Sequence, residues 1–494
     1  MITLAVAIAV LSWISVVPSG TPLDALQQGG SGQALVDAGT GLPVGEGVTD
    51  GAGTETTVTG PGAGTAAGAG PAAGPAAAGP QAAGPGNVAS KDFGPIDCAK
   101  KQNGGATDKG VSAKSIKIAA NIVTSGVGAS FLSEAPLAME AVKRRVNSKG
   151  GICGRQLELF TVNDGWDAAR GQQNIKDFIN QGYFALPVVP SSEGLSAAIS
   201  GGDIARAGIP VVGADGMRKE QYDAQGNAKW VWPVATATVS QVRIMAKYAY
   251  EKKGARTMGI VYDNKYKFGV EGATAFEKYV KTLKGASLKA KYGIEPGLNK
   301  YPQANSFNGD CDRCDLVVFL LEPSTAKQWL TDAGQGGLGK KATMGAQPLF
   351  NKKVFADQCG AICNGMFVWS GYVPALPENA SIPGVSRYMQ ELRSVSPSAD
   401  ASNQFTQGAY LGMEIFVEAV TRCSPTGLTR ACVQKTMDSL DFQTDLAAKL
   451  SWRAGNHFAN VGARGYSLSY QGPTFRGFRD EQTGFVRDPT PGVI

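Results

Sequence analysis

The feature that most constrains the fold is an alternation of short apolar strands with amphipathic helices, which starts near Gly110 and then repeats. The first unit opens with the strand-like stretch IKIAA at 116–120 and continues with the helical stretch 135–151, which two glycines close. The second unit restarts with the helical stretch 240–254 and the apolar run TMGIVYD at 257–263. Because strand–helix–strand repetition is typical of parallel sheets covered by helices, the sequence predicts an α/β fold with two similar lobes.

Shifts in composition and pattern divide the chain into segments of different character. Two helical stretches follow the second unit and are interpreted as a return to the first lobe, and a weaker strand-rich tail comes last. The predicted segments are a signal peptide or N-terminal anchor (1–18), a disordered tether (19–108), lobe 1 (109–234), lobe 2 (235–372), the return to lobe 1 (373–450) and a C-terminal segment that is mostly lobe 2 (451–494).

The N-terminal region is unlike the rest of the chain. Residues 1–18 form an apolar run of the length of a signal-peptide core or short anchor, although the usual basic residues are missing, since the first lysine or arginine is Lys91. Residues 19–108 are rich in Gly, Ala and Pro without a strict triplet repeat, and they lack the large apolar side chains that offset the entropy of ordering. We therefore expect an exported protein, secreted or membrane-tethered, in the periplasm or at the cell surface.

The charge pattern argues against a nucleic-acid partner. The chain has 47 Lys and Arg against 41 Asp and Glu, which gives a net charge of +6. Its basic residues are interspersed with acidic ones, whereas a nucleic-acid binder gathers them into a patch or stripe. We interpret them as ordinary solvated surface and expect no nucleic-acid binding.

Eight cysteines favour an oxidising compartment, because an even number with several short spacings is typical of disulfides in exported proteins. Two alternatives stay open, namely a zinc site built from the CDRC and CGAIC motifs, and free or redox-active thiols. We expect disulfides and no bound metal. Proximity along the sequence favours the pairs Cys311–Cys314, Cys359–Cys363 and Cys423–Cys432, which leaves Cys98 with Cys153.

The sequence offers little to a catalytic mechanism. Hydrolases commonly use a histidine base, and the chain has one histidine, His457, in an irregular stretch, where we interpret it as a surface or turn histidine. The stretch 334–341 nearly matches a phosphate-binding loop, but Lys341 replaces the hydroxyl residue that binds magnesium, and the stretch follows a predicted helix instead of a strand. We interpret it as a helix end, and we expect neither an enzyme nor a cofactor.

Polar groups follow two strands of the first predicted lobe. Ser191 and Ser192 come after the apolar run FALPVVP and open a helix, so their hydroxyls and the helix N–H groups are placed to receive a carboxylate, with helix capping as the alternative role. Ala214 and Asp215 follow the strand of IPVVGAD and offer backbone groups and an acid. Since ligands of open α/β sheets bind at the carboxyl ends of the strands, we expect these residues at a ligand site.

Aromatic and acidic candidates follow strands of the second predicted lobe. Tyr266 and Phe268 come after GIVYD and are placed to form an aromatic wall. Glu322 ends LVVFLLE, where it is placed either to receive an ammonium group or to sit at a helix N-terminus. In the first lobe, Trp166 in the NDGWD loop is placed to close over a ligand or to pack within its loop.

The order of these segments resembles the type I periplasmic binding proteins, specifically the branched-chain-amino-acid-type receptors of ABC importers. The resemblance covers residues 110–490 and rests on the ordered motifs IKIAANIVTSG, VNSKGGICGRQLELFTVNDGWDAARG, IPVVGAD, ARTMGIVYDNKYKFG, LVVFLLEP and TMGAQ. It implies two Rossmann-like lobes that are joined by a three-crossover hinge and close on a ligand in the cleft between them.

The resemblance also implies roles for individual residues. In that family the serine loop and the loop after the next strand hold the carboxylate and amino groups of an amino acid, and the second lobe adds an aromatic side chain and an acidic or polar one. Asp215 and the longer YDNKYKFG loop depart from the family pattern and leave the ligand class open. The matching positions in this chain are Ser191, Ser192, Ala214, Asp215, Tyr266, Phe268, Glu322 and Gln347.

The function that the resemblance implies is the capture of a small polar metabolite, most closely an amino acid or a close analogue, and its delivery to an ABC permease in the membrane. Two alternatives remain, because the fold alone does not decide the function. The first is a ligand-sensing receptor subunit with the same fold, and the second is an exported α/β enzyme.

Overall fold

The computed structural model describes residues 103–214, 216–312 and 314–493. The predicted signal peptide or anchor and nearly all of the predicted tether therefore lie outside the described residues, as do Cys98 and Asp215. Among the described residues, no helix reaches the length and apolarity that a membrane crossing requires.

Strands and helices alternate through most of the described chain. The strands are β1 (Ser115–Ile122), β2 (Gln156–Asn163), β3 (Val211–Ala214), β4 (Val231–Pro233), β5 (Thr257–Asp263), β6 (Ser287–Ile294), β7 (Leu316–Leu320), β8 (Ala342–Gly345), β9 (Phe367–Ser370), β10 (Asp441–Phe442), β11 (Leu450–Ser451), β12 (Gly462–Gln471), β13 (Thr474–Asp480) and β14 (Val486–Arg487). The α-helices are α1 (Ala129–Leu132), α2 (Ala135–Ser148), α3 (Ala168–Asn180), α4 (Ser192–Ser200), α5 (Asp203–Ala207), α6 (Thr238–Lys252), α7 (Lys267–Val280), α8 (Gln303–Asp310), α9 (Pro323–Ala333), α10 (Asp357–Cys359), α11 (Pro383–Val395), α12 (Gln404–Cys423) and α13 (Arg430–Met437).

The first lobe is built on parallel strands in the order β2, β1, residues 184–189, β3 and β4. The 184–189 segment is bonded to both of its neighbours. The Phe184 N–H donates to the Lys117 carbonyl over 2.8 Å, and the Val188 N–H donates to the Val212 carbonyl over 2.8 Å. The segment is not a regular strand, because Val188 has a φ of 62°, which a β-branched residue rarely adopts.

The second lobe is built on one sheet in the order β13, β12, β9, β8, β7, β5 and β6, with β14 also paired to β12. The strands from β9 to β6 are parallel, whereas β12, β13 and β14 from the tail join antiparallel. Strand β7 is apolar and buried throughout, as a central parallel strand with helices on both faces must be. The fold class that the sequence predicts is therefore present, although the lobe borders given above stay a prediction.

The chain passes between the lobes three times, after β4, after β9 and before β12. These crossings lie side by side. The Thr236 hydroxyl donates to the Gly462 carbonyl over 2.8 Å, and the Asn460 amide donates to the Gly371 carbonyl over 3.0 Å. A methyl group on Gly371 would lie only 2.7 Å from the Thr236 Oγ1, so the crossings pack with their backbones close together. They form the hinge that the family resemblance implies.

Helix α12 returns the chain to the first lobe and is buried along nearly its whole length. It packs directly on β3, since a methyl group on Gly213 would lie 2.5 Å from the Gly412 Cα. Gly213 also has a φ of 86°, so both the close approach and the backbone conformation require glycine there.

Residues 103–108, which fall within the predicted tether, pack against the first lobe. Arg155 is fully buried and holds them there. Its Nη2 donates to the Gly105 carbonyl over 2.9 Å, and its Nε donates to the Ser112 carbonyl over 2.7 Å. The buried guanidinium thus donates hydrogen bonds to backbone carbonyls that lose their contact with water when this segment packs on the lobe.

The prediction that His457 is a surface or turn histidine is wrong, because it is buried in an irregular segment. Its side chain is 1 % exposed, and its Nε2 lies 3.3 Å from the Asp438 Oδ1, an oxygen that also accepts the Trp232 indole N–H over 3.0 Å. His457 lies in the third crossing between the lobes, which Trp232 and its neighbours cover. Periodicity does not reveal this burial, because the stretch has no regular secondary structure.

The structure contains three of the predicted disulfides, Cys311–Cys314, Cys359–Cys363 and Cys423–Cys432. Cys153 is also disulfide-bonded, and its predicted partner, Cys98, lies outside the described residues. A sulfur that is bonded to another sulfur is not a thiolate ligand, so the zinc site that combines the CDRC and CGAIC motifs is ruled out in this structure.

Candidate functional site

The loops that follow the strands of both lobes meet in one aromatic cluster. Phe131 follows β1, Trp166 follows β2, and Phe268 follows β5, and all three side chains are buried. Phe405 from the start of α12 packs against them, and Tyr266 is partly buried beside them. The carboxyl ends of parallel strands, where open α/β sheets bind ligands, therefore face each other across an apolar contact between the lobes.

Trp166 lies at the centre of this cluster. Its indole stacks on Tyr266 of the second lobe with ring centres 4.1 Å apart and planes 28° apart, and it meets the edge of Phe131 at 5.4 Å and 83°. Its Nε1–H donates to the Ser192 Oγ over 3.0 Å. A methyl group on Gly128 would lie 3.0 Å from the indole Cε3, so bare backbone covers part of the ring. We call the space enclosed by Gly128, Phe131, Ser192, Tyr266 and Phe268 the indole slot.

The serine pair lies at the N-terminus of α4, as the sequence predicts. Ser191 is the N-cap residue, but its side chain makes no capping hydrogen bond, and both serines are fully buried. The Ser191 hydroxyl instead faces Asp164. Burial raises the pKa of Asp164 to about 6, and the nearby Ser191 hydroxyl and the hydrogen bond from the Trp166 N–H partly offset this rise. The N–H groups of the first turn of α4 therefore point toward the cleft without a side-chain cap.

Arg218 is a charged residue of the first lobe that the sequence does not single out. It follows β3, is fully buried and forms an ion pair with Glu193 in the first turn of α4. Its Nε and Nη1 have no hydrogen-bond partner among the described residues. Burial lowers the pKa of Arg218 to about 10, and the nearby Glu220, Glu271 and Asp263 counteract this fall.

Ala214 and Asp215 lead into the loop that carries Arg218. Ala214 is buried at the end of β3, and its carbonyl accepts the Val234 N–H over 3.1 Å, so that carbonyl is used within the lobe. Asp215 lies outside the described residues. The signal that would have found Arg218 is its position a few residues after the apolar strand, the same rule that selects Ala214.

The second lobe contributes an acid that sequence reasoning missed, Asp263 at the end of β5. Its side chain is fully buried, and its Oδ1 accepts the N–H groups of Lys265 and Tyr266 over 2.9 Å and 3.1 Å. The Oδ2 has no hydrogen-bond partner among the described residues. Burial raises the pKa of Asp263 to about 7, those two backbone bonds work against the rise, and Glu322 and Glu295 add to it.

Glu322 is the N-cap residue of α9. Its carboxylate accepts the N–H groups of Ser324, over 2.8 Å, and of Thr325, and it also accepts the Ser324 hydroxyl over 2.6 Å. Both oxygens are thus engaged at the helix terminus. Of its two predicted roles, Glu322 has that of a helix N-terminal acid here, and its ammonium-binding role stays a prediction.

Gln347 follows β8 and lies near the hinge. Its backbone N–H donates to the Gln241 Oε1 over 3.0 Å, and its side-chain oxygen lies 3.3 Å from the Gln241 Nε2. It lines a narrow cavity with Tyr372, Gln404 and Phe405, which has room for about one water molecule. Gln347 therefore faces the interior beside the aromatic cluster and not the indole slot.

Polar contacts outside the indole slot also join the lobes. The Lys219 N–H donates to the Glu271 Oε2 over 3.0 Å, and the Lys267 Nζ lies 3.7 Å from the Glu220 Oε1. Because Glu271 and Lys267 belong to α7, the first turns of that helix contact the loop after β3. The structure thus brings Trp166, Ser192, Tyr266 and Phe268 together, with Ser191 next to Ser192 in the chain. Ala214 packs in the core of the first lobe. Glu322 and Gln347 lie apart.

The part of the chain that the structure describes contains no group of three His, Cys, Asp or Glu side chains placed to hold a metal ion. The stretch 334–341 starts at Gly334, the C-cap of α9, forms a short 3-10 helix at Gly334–Gly337 and then leads to β8, so it follows a helix end as predicted. Its geometry is that of a helix C-terminus, whereas phosphate binding requires the N-terminus of a helix.

A protein-family model described as "Periplasmic binding protein" matches residues 115–472. The chain belongs to the periplasmic binding protein family. Curated protein sequences include no significant match to this periplasmic binding protein. Members of its family are substrate-binding proteins and not enzymes, and they act outside the cytoplasm.

Solved structures show the type I fold of this periplasmic binding protein. A fatty acid ABC transporter substrate-binding protein from Thermomonospora curvata has a TM-score of 0.64 at 16 % identity, covering 76 % of this chain and 94 % of that one. A branched-chain amino acid ABC transporter protein from Thermus thermophilus with bound valine has a TM-score of 0.64 at 17 % identity, covering 77 % and 97 %. A solute-binding protein from R. palustris in complex with 4-hydroxybenzoate has a TM-score of 0.63 at 12 % identity, covering 76 % and 98 %. The family that the sequence motifs predict is confirmed.

Proposed function

We propose that this protein is an extracytoplasmic solute-binding protein that captures a small polar metabolite, an amino acid or a close analogue, and delivers it to the permease of an ABC importer. The observation that carries the proposal is the contact between the strand-end loops of the two lobes, centred on Trp166 and Tyr266. A site built from both lobes holds its ligand only when the lobes are closed, and closure is the state that a transport partner can recognise.

The two sides of the cleft suggest how a ligand lies. The uncapped first turn of α4 and the hydroxyls of Ser191 and Ser192 suit a carboxylate. The Asp263 Oδ2 suits an ammonium or hydroxyl group, and it takes the role expected of Glu322, whose oxygens are engaged at α9. In this proposal the ligand cleft is formed by Trp166, Ser191, Ser192, Ala214, Asp215, Tyr266, Phe268 and Asp263, with Glu322 and Gln347 in supporting positions.

The ligands of the solved relatives support a carboxylate. Their names include a fatty acid, valine and 4-hydroxybenzoate, and each of these molecules carries a carboxylate group. The groups attached to the carboxylate differ between the three ligands, so the shared fold is compatible with many such groups. The amino-acid class is therefore the finer part of the proposal, and the carboxylate is its broader part.

Export and tethering belong to the same proposal. Disulfides persist in oxidising compartments, and the described residues contain three of them together with the bonded Cys153. We place the protein in the periplasm or at the cell surface, secreted or held there through its N-terminal region, where a permease is within reach.

The test is calorimetric titration of the full chain with amino acids, hydroxy acids, simple carboxylates, amides, sugars and nucleosides. We expect one-to-one binding of a carboxylate and a fivefold or larger loss of affinity in Ser192→Ala, because a hydrogen bond to a charged group contributes more than about 1 kcal/mol. The matched control is Ser196→Ala, a buried serine one turn further along α4. A chain that binds no member of this panel, or an equal loss of affinity in both variants, would count against the proposal.

A further inference from the structure

The indole slot is filled by a side chain of the protein itself. Trp166 is 2 % exposed, and its ring is held from four directions, by the face of Tyr266, the edge of Phe131, the bare backbone of Gly128 and the hydroxyl of Ser192. Every one of these neighbours lies in a loop or first helical turn that follows a strand. The slot therefore occupies the edge where both sheets can present a ligand.

The backbone that carries Trp166 is held in an unusual conformation. Trp166 has a φ of 63° and Gly165 before it a φ of 64°, so two consecutive residues are left-handed. The loop is fixed on both sides, since the Asp164 Oδ1 accepts the Trp166 N–H over 2.9 Å and the Asp167 Oδ1 accepts the Arg170 N–H over 2.8 Å. A large side chain at such a position is unfavourable unless its ring is well accommodated, and here the slot accommodates it.

We infer that the indole slot is the ring-binding subsite of the ligand cleft, and that Trp166 is a built-in occupant that the ligand displaces. The ligand class is then a carboxylate that carries a flat aromatic ring with an N–H or O–H donor on it. This inference rests on the proposed function and narrows it, because it selects aromatic ligands from among the small polar metabolites. The ring takes the place of the indole and its donor bonds to the Ser192 hydroxyl, so the carboxylate lies at Ser191 and the N–H groups of the first turn of α4.

The geometry of the slot favours an aromatic ring over an aliphatic one. Near-parallel stacking on Tyr266 and an edge contact with Phe131 are the two arrangements that the quadrupoles of aromatic rings favour. A cyclohexyl group has similar volume but is puckered and lacks the ring quadrupole, so it fits less well between the Tyr266 face and the Gly128 backbone. An acceptor hydroxyl at the end of the slot adds a preference for a ring that bears a donor.

Matched ligand pairs test the ring preference on the full chain. We expect benzoate, 4-hydroxybenzoate and indole-3-acetate to bind at least tenfold more tightly than cyclohexanecarboxylate, and phenylalanine to bind at least tenfold more tightly than cyclohexylalanine. Equal affinities within either pair would overturn the aromatic preference while leaving the proposed function intact. Absence of binding by every carboxylate tried, aliphatic ones included, would overturn the proposed function itself.

Substitution of Trp166 tests its role as an occupant. Trp166→Gly removes the competing ring and also relieves the left-handed backbone, so we expect its affinity for indole-3-acetate to rise tenfold or more. Trp166→Phe keeps a ring without the N–H donor, and we expect an intermediate gain. Trp230→Ala is the control, because it removes a half-buried tryptophan of the same lobe that packs on Trp232 away from the slot. If Trp166 is instead a fixed wall of the site, Trp166→Gly loses affinity, and that result would overturn the inference.

A spectroscopic readout follows the indole directly. In the wild type we expect ligand binding to increase the quenching of tryptophan fluorescence by acrylamide, since Trp166 leaves a buried position. The increase should vanish in Trp166→Phe and persist in Trp230→Ala. Quenching that falls on binding in the wild type would mean that Trp166 stays buried under the ligand, which contradicts its displacement.

Discussion

The two sides of the cleft are built from the same strand–loop–helix unit and yet carry opposite chemistry. The first rim, formed by Ser191, Ser192 and Arg218, presents hydroxyls, a guanidinium and the first turn of α4. The second rim, formed by Tyr266 and Asp263 with Phe268, presents a carboxylate, whereas aromatic rings come from both lobes. The repeated fold provides two equivalent positions at the strand ends, and the side chains there make the cleft dipolar. A ligand with separated positive and negative groups fits such a cleft in one orientation.

The contrast is sharpest between two helix N-termini. Helix α9 is closed by the carboxylate of Glu322, which accepts the N–H groups of Ser324 and Thr325. Helix α4 starts at Ser191 without a side-chain cap. A capped terminus has its exposed N–H groups already satisfied, whereas an uncapped one attracts an anion. Both helices follow a segment that pairs into a sheet, and so both begin at the edge where ligands bind. They differ only in whether a side chain caps the N-terminus.

The largest change in the free energy of unfolding is expected when the cation of the first rim, Arg218, is removed. Arg218→Met leaves the Glu193 carboxylate without its ion-pair partner, and breaking a buried ion pair costs about 3 to 5 kcal/mol of the free energy of unfolding. Urea denaturation at neutral pH measures the change. The matched control is Arg206→Met, which breaks an ion pair with Asp203 whose arginine side chain is 69 % exposed, and which should cost less than about 1 kcal/mol. Equal losses of stability in the two variants would show that the buried Arg218–Glu193 pair contributes no more than the exposed Arg206–Asp203 pair.

Replacing the acid of the second rim, Asp263, should change the free energy of unfolding by a similar amount but in the stabilising direction. Burial raises the pKa of Asp263 from 3.8 to about 7, so between these values the folded state holds a proton that the unfolded state releases. The free energy of unfolding therefore falls as the pH rises through this window and stays low above it. Asp263→Asn removes this loss, and at pH 8 it should be more stable than the wild type by about 2 to 4 kcal/mol.

Thermal unfolding between pH 4 and 8 measures the Asp263→Asn prediction. Asp164, whose pKa burial raises to about 6, should leave a weaker dependence of the same sign in the variant. Glu277→Gln is the control. Hydrogen bonds from Lys281 and Lys291 lower the pKa of Glu277 to about 2, so this group makes stability rise with pH, opposite to Asp263. A wild-type stability that rises from pH 5 to pH 8 and an unchanged profile in Asp263→Asn would contradict the assignment.

The smallest effect is expected at the cap of α9. Glu322→Ala should lower the free energy of unfolding by about 1 to 2 kcal/mol, as loss of an N-cap does, and should leave ligand affinity within twofold of the wild type. Thr429→Ala removes the cap of α13, far from the strand ends, and should cost a similar amount. If Glu322→Ala alone loses more than tenfold in ligand affinity, Glu322 binds the ligand's ammonium group, and the second rim holds a second acid that contacts the ligand.

Much of the fold was predictable because it follows from periodicity. The apolar strands and amphipathic helices of both lobes lie where the alternation places them, and the aromatic residues after β5 meet the tryptophan after β2. The 184–189 segment was predicted as a buried strand and holds that place in the sheet, but the φ of Val188 interrupts it, and no sequence pattern reports a local backbone angle. Helix α8 lies in a polar stretch that the strand–helix alternation does not mark as helical.

The residues that were missed depend on contacts distant in sequence. The burial of Arg218 requires Glu193 and the second lobe to approach it, and the burial of His457 requires Trp232. Arg155 fixes residues 103–108 through backbone carbonyls, which have no signature in side-chain composition. Such interactions are set by the tertiary fold, so they become visible only when the lobes are assembled.

The three hydrogen-bonded crossings have a consequence for how the protein signals its state. A single connecting segment bends and twists in any direction, whereas three segments tied through Thr236, Asn460 and the Gly371 and Gly462 carbonyls resist shear and torsion together. One soft motion remains, rotation about the line that the crossings share. The angle between the lobes then acts as a single coordinate, and a membrane partner that senses this angle reads occupancy without touching the ligand.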